Sequence, residues 1–481
     1  MFDWNQFLGW FSIVFLLTAI PVAFMIVLEK RSPYKTVAWI LALILLPVFG
    51  MLFYLVFGQT YRKRKMFSQR GLQGLREWRR ITSRQLRSFG PAQKNTELKE
   101  YQHLIRLLLN NSNALLTSGN QLEILKDGQQ TFTSLFEAIE TAQHHIHLEY
   151  YIFDNDKTGN QLKQLLLRKR AEGVEVRIIV DDVGSWSLSK KFFRQLREKG
   201  IEIYPFMEVR FPRLTSKVNY RNHRKITIID GKTGFIGGMN IADRYIDGDP
   251  KLGHWRDTHL KITGDAAASL QVIFAADWYF VSHKELKGRA YFRRFTEDAG
   301  IPVQIGAGGP DYDWEGIAQA FFSAITNARK RVFLVTPYLM PPPALLEALK
   351  TAALSKVDVR IIIPEKSDSR VSKWCSFAYV EELLEAGVQM YFYQNGFIHS
   401  KYMLVDDGFS TIGTSNFDFR SFETNFEANA FIYNRNFSKE LEQHFLEDQQ
   451  HSREIKLAQW RKRPQTNKIR EALAHIVSPM F

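Results

Sequence analysis

Cysteine is almost absent: Cys375 is the single one in 481 residues. A lone thiol excludes an intramolecular disulfide framework and a cysteine-based zinc cluster, and it is compatible with a reducing compartment. Excess charge is nearly absent from the body of the chain as well. The net charge is +14, but residues 61–90 hold ten Lys/Arg against Glu77, and residues 453–470 hold seven against Glu454. The remainder is close to neutral. A neutral body with a basic collar argues against a long nucleic-acid groove and suits apposition to anionic lipid headgroups. Apolar residues make up 45%, charged residues 24% and aromatics 14%, which excludes a mostly disordered or collagen-like chain.

Charge is also missing from two long N-terminal runs. Twenty-five uncharged residues separate Asp3 from Glu29, and 26 separate Lys35 from Arg62, each enough for a helix to cross about 30 Å of hydrocarbon. Two transmembrane helices within residues 1–60 are therefore predicted. A secretory signal is a poor alternative, because a basic n-region is lacking and a second run follows at once. Pro21 and Pro47 leave open a helical hairpin that re-enters one leaflet. The connector of residues 29–35 holds three Lys/Arg, but ten follow Tyr61, so the positive-inside rule places both termini in the cytoplasm.

From about residue 110 the pattern is alternating strands and helices. A buried strand at 146–152, a helix at 161–171, a strand at 174–180 and a helix at 188–199 ended by Gly200 are predicted. The order returns with a strand at 331–338, a helix at 343–353, a strand at 357–363 and a helix at 371–386 ended by Gly387. The likeness is literal in places: Val176-Arg177-Ile178-Ile179-Val180 corresponds to Val359-Arg360-Ile361-Ile362-Ile363. Two α/β halves follow, over 110–290 and 300–481, behind a basic juxtamembrane linker at 61–109.

Each half ends in one constellation. His223, Lys225 and Asp230 precede Gly237-Gly238-Met239-Asn240; His399, Lys401 and Asp406 precede Gly413-Thr414-Ser415-Asn416. All the spacings agree. Histidine and lysine two apart on a strand share a face, so both pairs enter one site if the halves meet. The glycine turns would bring Asn240 and Asn416 back beside them, with amide donors for phosphate oxygens. Asp230 and Asp406 stand at strand ends, where a turn contact competes with direct chemistry. His144, His145 and His147 lack the carboxylate pattern of a zinc site.

This twin H-x-K-x(4)-D signature resembles the phospholipase D superfamily over most of residues 110–435. The N-terminal apolar runs, Glu149-Tyr150-Tyr151-Ile152-Phe153, Gly238-Met239-Asn240-Ile241-Ala242 and the segment Ser415–Phe422 with Asn425 and Glu427 resemble bacterial cardiolipin synthases within it. Gly238 departs from a frequent serine, so a hydroxyl contact would be missing from the first half only.

The resemblance implies two α/β repeats with mixed sheets, held at a bacterial cytoplasmic membrane with the catalytic halves on the cytoplasmic side. It also implies phosphatidyl transfer between two phosphatidylglycerols through a phosphohistidine. The expected catalytic residues are His223, Lys225, Asp230, His399, Lys401 and Asp406, with Asn240 and Asn416 on the phosphate. Asp257 and Glu427 would orient the imidazoles. The family's usual assignment makes His223 the nucleophile and His399 the general acid/base. No cofactor, metal or nucleic acid is expected; the partners are phosphatidylglycerol and anionic membrane lipids.

Overall fold

The structure is a computed structural model that describes residues 19–28, 33–45, 50–51, 54, 96–209, 219–288, 290–292 and 300–480. Residues 1–69 with 209–219 form one compact unit and the rest of the chain another.

In the first unit, helices cover residues 19–28 and Pro33–Leu45. Val22, Ile26, Leu43 and Tyr54 are buried together, while Ile20, Phe24, Leu28, Leu41, Ile44 and Leu45 are exposed. Among the described residues no helix is long and apolar enough to cross a membrane, so the two predicted spanning helices are not part of the described architecture. Most of the predicted first run, half of the second, and the basic collar from Arg62 to Arg87 lie outside the described residues.

The second unit contains two mixed sheets of one plan. The seven-stranded sheet runs Asn120–Leu125, His259–Gly264, Thr233–Gly237, Lys225–Ile229, His145–Tyr150, Glu175–Asp181, Glu202–Phe206. Its first five strands are antiparallel to their neighbours and its last three run parallel. The nine-stranded sheet repeats this order with Val303–Gly308, Glu427–Tyr433, Phe409–Gly413, Tyr402–Val405, Arg331–Val335, Asp358–Pro364, Gln389–Tyr393. It adds Leu116–Thr117 at one edge and Ser452–Ile455 at the other. In both sheets the strand after the H-x-K motif is central, which buries it on both faces.

Local chemistry explains the helices. Asp127, Asp156, Ser189 and Ser369 each accept a backbone N–H in the first turn of the helix they precede, satisfying a donor that the helix leaves open. Gly200 and Gly387, at φ 81° and 96°, carry the chain out of two helices through the left-handed region. The helix predicted over 371–386 is two, Arg370–Ala378 and Val380–Glu385. The break falls at Tyr379, whose hydroxyl is hydrogen-bonded to Ser478 at 2.8 Å. Some of the basic residues of 453–470 are also built in: Arg463 is paired with Glu471 and Glu381, and Arg461 with Glu385.

Candidate active site

The two halves meet through their functional segments. Asn222 bridges to Phe426 in parallel, and Phe397–Ile398 pairs in parallel with Trp255–Arg256. One residue further along each pairing, His223 lies beside Glu427 and His399 beside Asp257. The Nδ1–H of His223 donates to Glu427 Oε1 at 2.8 Å, and that of His399 to Asp257 Oδ2 at 2.7 Å. The backbone sets this register, because His223 N–H donates to the Phe426 carbonyl at 2.9 Å and His399 N–H to that of Arg256 at 2.7 Å. Each half therefore supplies the carboxylate that orients the other half's imidazole. Nδ1 of each imidazole is thus engaged by a carboxylate, with Lys401 Nζ also 3.0 Å from that of His399, and Nε2 is the nitrogen the carboxylates leave unengaged.

Both histidines line one cleft of about 330 Å³. Asn240, Arg244, Tyr245 and Trp255 enter it from the first half, and Tyr338, Asp368, Asn416, Arg420 and Asn425 from the second. Lys225 and Lys401 are buried beneath it. Lys225 Nζ donates to the His223 carbonyl at 2.6 Å, and Lys401 Nζ lies 3.2 Å from Nε2 of His399. Aromatic rings fix the imidazoles: Tyr151 meets His223 edge-on at 5.0 Å between centroids, and Trp255 packs on His399 at 5.4 Å.

The electrostatics of the two pairs differ. Burial pushes the His223 imidazole down to about 4 despite Glu427, and burial with Lys401 and Lys225 holds His399 well below the usual histidine range. Burial raises Asp257 to about 6, against the pull of Lys401. For Glu427 burial acts in the same sense, but His223, Lys225 and the Thr414 hydroxyl outweigh it and hold the carboxyl below its ordinary value. Burial lowers Lys401 to about 8 and Lys225 far below the ordinary lysine range.

Gly238 and Thr414 occupy matched positions. Thr414 donates its hydroxyl to Glu427 Oε2. A Cβ at Gly238 would stand 2.1 Å from Asp257 Oδ1, so the first half has no room for a hydroxyl-bearing side chain where Asp257 sits. Asn240 Oδ1 accepts from Ile152 N–H at 3.0 Å and its amide donates to Tyr245 at 2.9 Å, whereas the buried Asn416 Oδ1 has no hydrogen-bond partner among the described residues.

The structure does not bring Asp230 and Asp406 to the cleft, which corrects their expected catalytic place. Both follow the far end of the strand from the histidine and lysine, at φ 53° and 51°. Asp230 accepts the backbone N–H groups of Gln143, His144 and His145; Asp406 accepts those of Arg329, Lys330 and Arg331. Each clasps the turn that opens its half's first central strand. His145 and His147 share Gln271 Oε1 at 3.2 and 3.0 Å, and His147 stacks on Phe274, a packed polar cluster away from the cleft.

Two histidines, each backed by a carboxylate, line one pocket with two lysines buried beneath it, an arrangement suited to phosphodiester transfer. Comparison with known proteins narrows the class. Residues 135–278 and 321–449 match the family described as cardiolipin synthase, PLD-like domain, and residues 11–59 match a phospholipase D-nuclease N-terminal segment. A cardiolipin synthase of Geobacillus sp. (strain WCH70) is 40% identical over 99% of this chain and 95% of its own. One from Alkalihalophilus pseudofirmus is 41% identical over 98% and 94%. The chain belongs to the cardiolipin synthase family of phospholipase-D-like proteins. The fold is also that of a phosphatidylserine synthase from Haemophilus influenzae Rd KW20, with TM-score 0.61 and 16% identity over 80% of this chain and 100% of that one.

Proposed function

We infer that the protein is a cardiolipin synthase, a phosphatidyltransferase that joins two phosphatidylglycerols and releases glycerol. The observation that carries the mechanism is the exchange of carboxylates between halves, which leaves two imidazole Nε2 atoms on one cleft. His223 Nε2 attacks phosphorus and the bond to the glycerol oxygen breaks, with His399 donating the proton that this oxygen needs. His399 then takes a proton from the hydroxyl of the second phosphatidylglycerol, whose oxygen displaces His223. Atoms balance, and both histidines return to their starting state.

His223 is given the nucleophile's role because Glu427 is the carboxylate held ionised, and it stabilises the charge that His223 gains. Burial, joined by repulsion from Lys401 and Lys225, keeps His399 neutral; the bound phosphodiester anion offsets the repulsion, so substrate binding favours its acid form. The lysines, with the amides of Asn240 and Asn416, hold the equatorial oxygens as charge develops.

The lipid substrates call for a membrane surface. The exposed apolar residues of 19–28 and Pro33–Leu45 support the reading of the N-terminal unit as the anchor, with the basic collar against anionic headgroups. Two spans with the catalytic halves on the cytoplasmic side fit the distribution of cations. Labelled phosphatidylglycerol in detergent micelles tests the function: cardiolipin and glycerol should appear in equal amounts. Phosphatidic acid as the dominant product would make this a phospholipase instead.

A further inference from the structure

The His–Lys–Asn set surrounds one phosphorus, yet the reaction needs two phosphodiesters in one cleft. The donor's departing glycerol is neutral. The acceptor that takes its place carries a second phosphate, one glycerol unit from the attacking oxygen. A site that merely transfers phosphatidyl groups needs no cation for that second anion; a site that prefers a phospholipid acceptor over water or a simple alcohol does.

The cleft holds three arginines outside the inner set; Arg221 is paired with the buried Asp181 at 3.1 Å, and the other two are Arg244 and Arg420. They occupy matched places, each four residues beyond the asparagine of its half and in the first turn of a short helix, Arg244–Asp247 or Phe419–Glu423. They serve different histidines. The Arg244 guanidinium lies over the Trp255 ring at 5.5 Å from its centroid, and Trp255 packs against His399. Arg420 lines the same cleft as Tyr151, whose ring packs on His223.

In-line displacement puts the leaving glycerol, and later the acceptor, on the side opposite the nucleophile, beside the general acid/base. With His399 in that role, the acceptor's extra phosphate extends on the side of Trp255 and Arg244. Asp154 fixes the arginine with an ion pair at 2.5 Å while leaving the side chain about one-third exposed. A guanidinium has more donors than one carboxylate can use, and the free edges suit a phosphate.

We propose that Arg244, held by Asp154 and Trp255 beside His399, is the phosphate-binding residue of a separate subsite for the acceptor phospholipid. The proposal rests on the assignment of His399 as acid/base. It makes Arg244 a determinant of acceptor choice rather than of donor cleavage.

The test is a competition. The full-length enzyme in detergent micelles receives labelled phosphatidylglycerol together with 1-butanol, and cardiolipin, phosphatidylbutanol and phosphatidic acid are measured from one reaction. Arg244→Gln should lower the ratio of cardiolipin to phosphatidylbutanol by about 10- to 100-fold, the range for losing a hydrogen-bonded contact to a charged group. Arg244→Lys should recover part of that ratio. Arg420→Gln should lower all products together and leave the ratio near wild type.

An unchanged ratio in Arg244→Gln, or a shift confined to Arg420→Gln, overturns the subsite. A wild-type enzyme that makes no cardiolipin overturns the functional reading itself. The two failures are separable, since the phosphatidylbutanol formed in every variant reports folding and donor cleavage independently.

Discussion

The two histidine–carboxylate pairs are built alike and tuned apart. His223–Glu427 has a longer carboxylate that also accepts the Thr414 hydroxyl and stays ionised below the ordinary glutamate value. His399–Asp257 has a shorter one, supported by the Thr258 N–H at 2.7 Å and raised to about 6. The two carboxylates are pushed in opposite directions, Glu427 down and Asp257 up, while both imidazoles are lowered, an asymmetry that fits the proposed division between nucleophile and proton carrier. Duplication made the scaffold symmetric, and single residues at 238 and 414 broke the symmetry of its chemistry.

The severest break is removal of an imidazole. His223→Ala and His399→Ala should each lower cardiolipin formation by on the order of 10⁴-fold or more, because members of a covalent-transfer unit are lost as a unit. The comparison is sharpened by trapping: denaturation of the reaction with labelled donor should leave label on His399→Ala protein and none on His223→Ala. Label on the latter would reverse the assignment. Lys225→Ala and Lys401→Ala should fall by about 10²- to 10³-fold, the scale of one preorganised transition-state donor.

The next break is in the exchanged carboxylates, and its signature is the pH profile. Asp257, raised to about 6, loses its charge as pH falls through that value; Lys401, lowered to about 8, loses its charge as pH rises through that one. Cardiolipin formation should follow a bell between about 6 and 8. Asp257→Asn should lower the plateau and remove the acid limb near 6. Glu427→Gln should lower the plateau and keep that limb, since the Glu427 carboxyl titrates below its ordinary value. An acid limb surviving in Asp257→Asn would detach Asp257 from His399.

Gly238→Ala and Thr414→Val test the asymmetry itself. The alanine Cβ, 2.1 Å from the present position of Asp257 Oδ1, would push that carboxylate away, so the acid limb assigned to Asp257 should move while the trapped phosphoenzyme still forms. The valine removes the donor to Glu427 Oε2 and should slow phosphoenzyme formation by about 10-fold. Equal effects of both variants on both half-reactions would show the two pairs to be interchangeable.

Much of this was legible in the residues. Duplicated spacing around His223 and His399 revealed the repeat, and strand alternation placed each lysine on its histidine's face. Asp257 and Glu427 were legible as orienting groups, but not their exchange between halves, because that depends on which strand continues beside which. The break at Tyr379 was hidden for a similar reason: helical periodicity runs through it, and a contact with Ser478 decides it. Arg244 and Arg420 share an offset from the asparagines, a signal present in the sequence that gains meaning only when both reach one cleft. Asp230 and Asp406 carried two readings, direct chemistry and a turn contact, and spacing alone does not separate them because a motif records everything the fold needs, including turns.

Those two aspartates give the smallest expected effect on catalysis and the point where the halves should behave identically. Each carboxylate accepts backbone N–H groups of the turn opening its own half's strand, from a left-handed position that asparagine also tolerates. Asp230→Ala and Asp406→Ala should therefore lower the thermal unfolding temperature by similar amounts, with about 1 kcal/mol lost for each hydrogen bond removed, since most of the donors reach solvent. The product ratio should remain at the wild-type value at temperatures where the proteins are folded. Asparagine, which keeps one acceptor oxygen, should restore part of the stability. The backbone donors hold the Asp230 carboxyl below its ordinary value against the opposing effect of burial, so its stabilisation is present above the unfolded-state carboxylate range and lost as pH falls through the lower folded value. The unfolding temperature of Asp230→Asn should accordingly depend less on pH in the acid range than that of the wild type. A specific loss of turnover in a folded Asp230 variant, without a change in stability, would return this residue to the catalytic machinery.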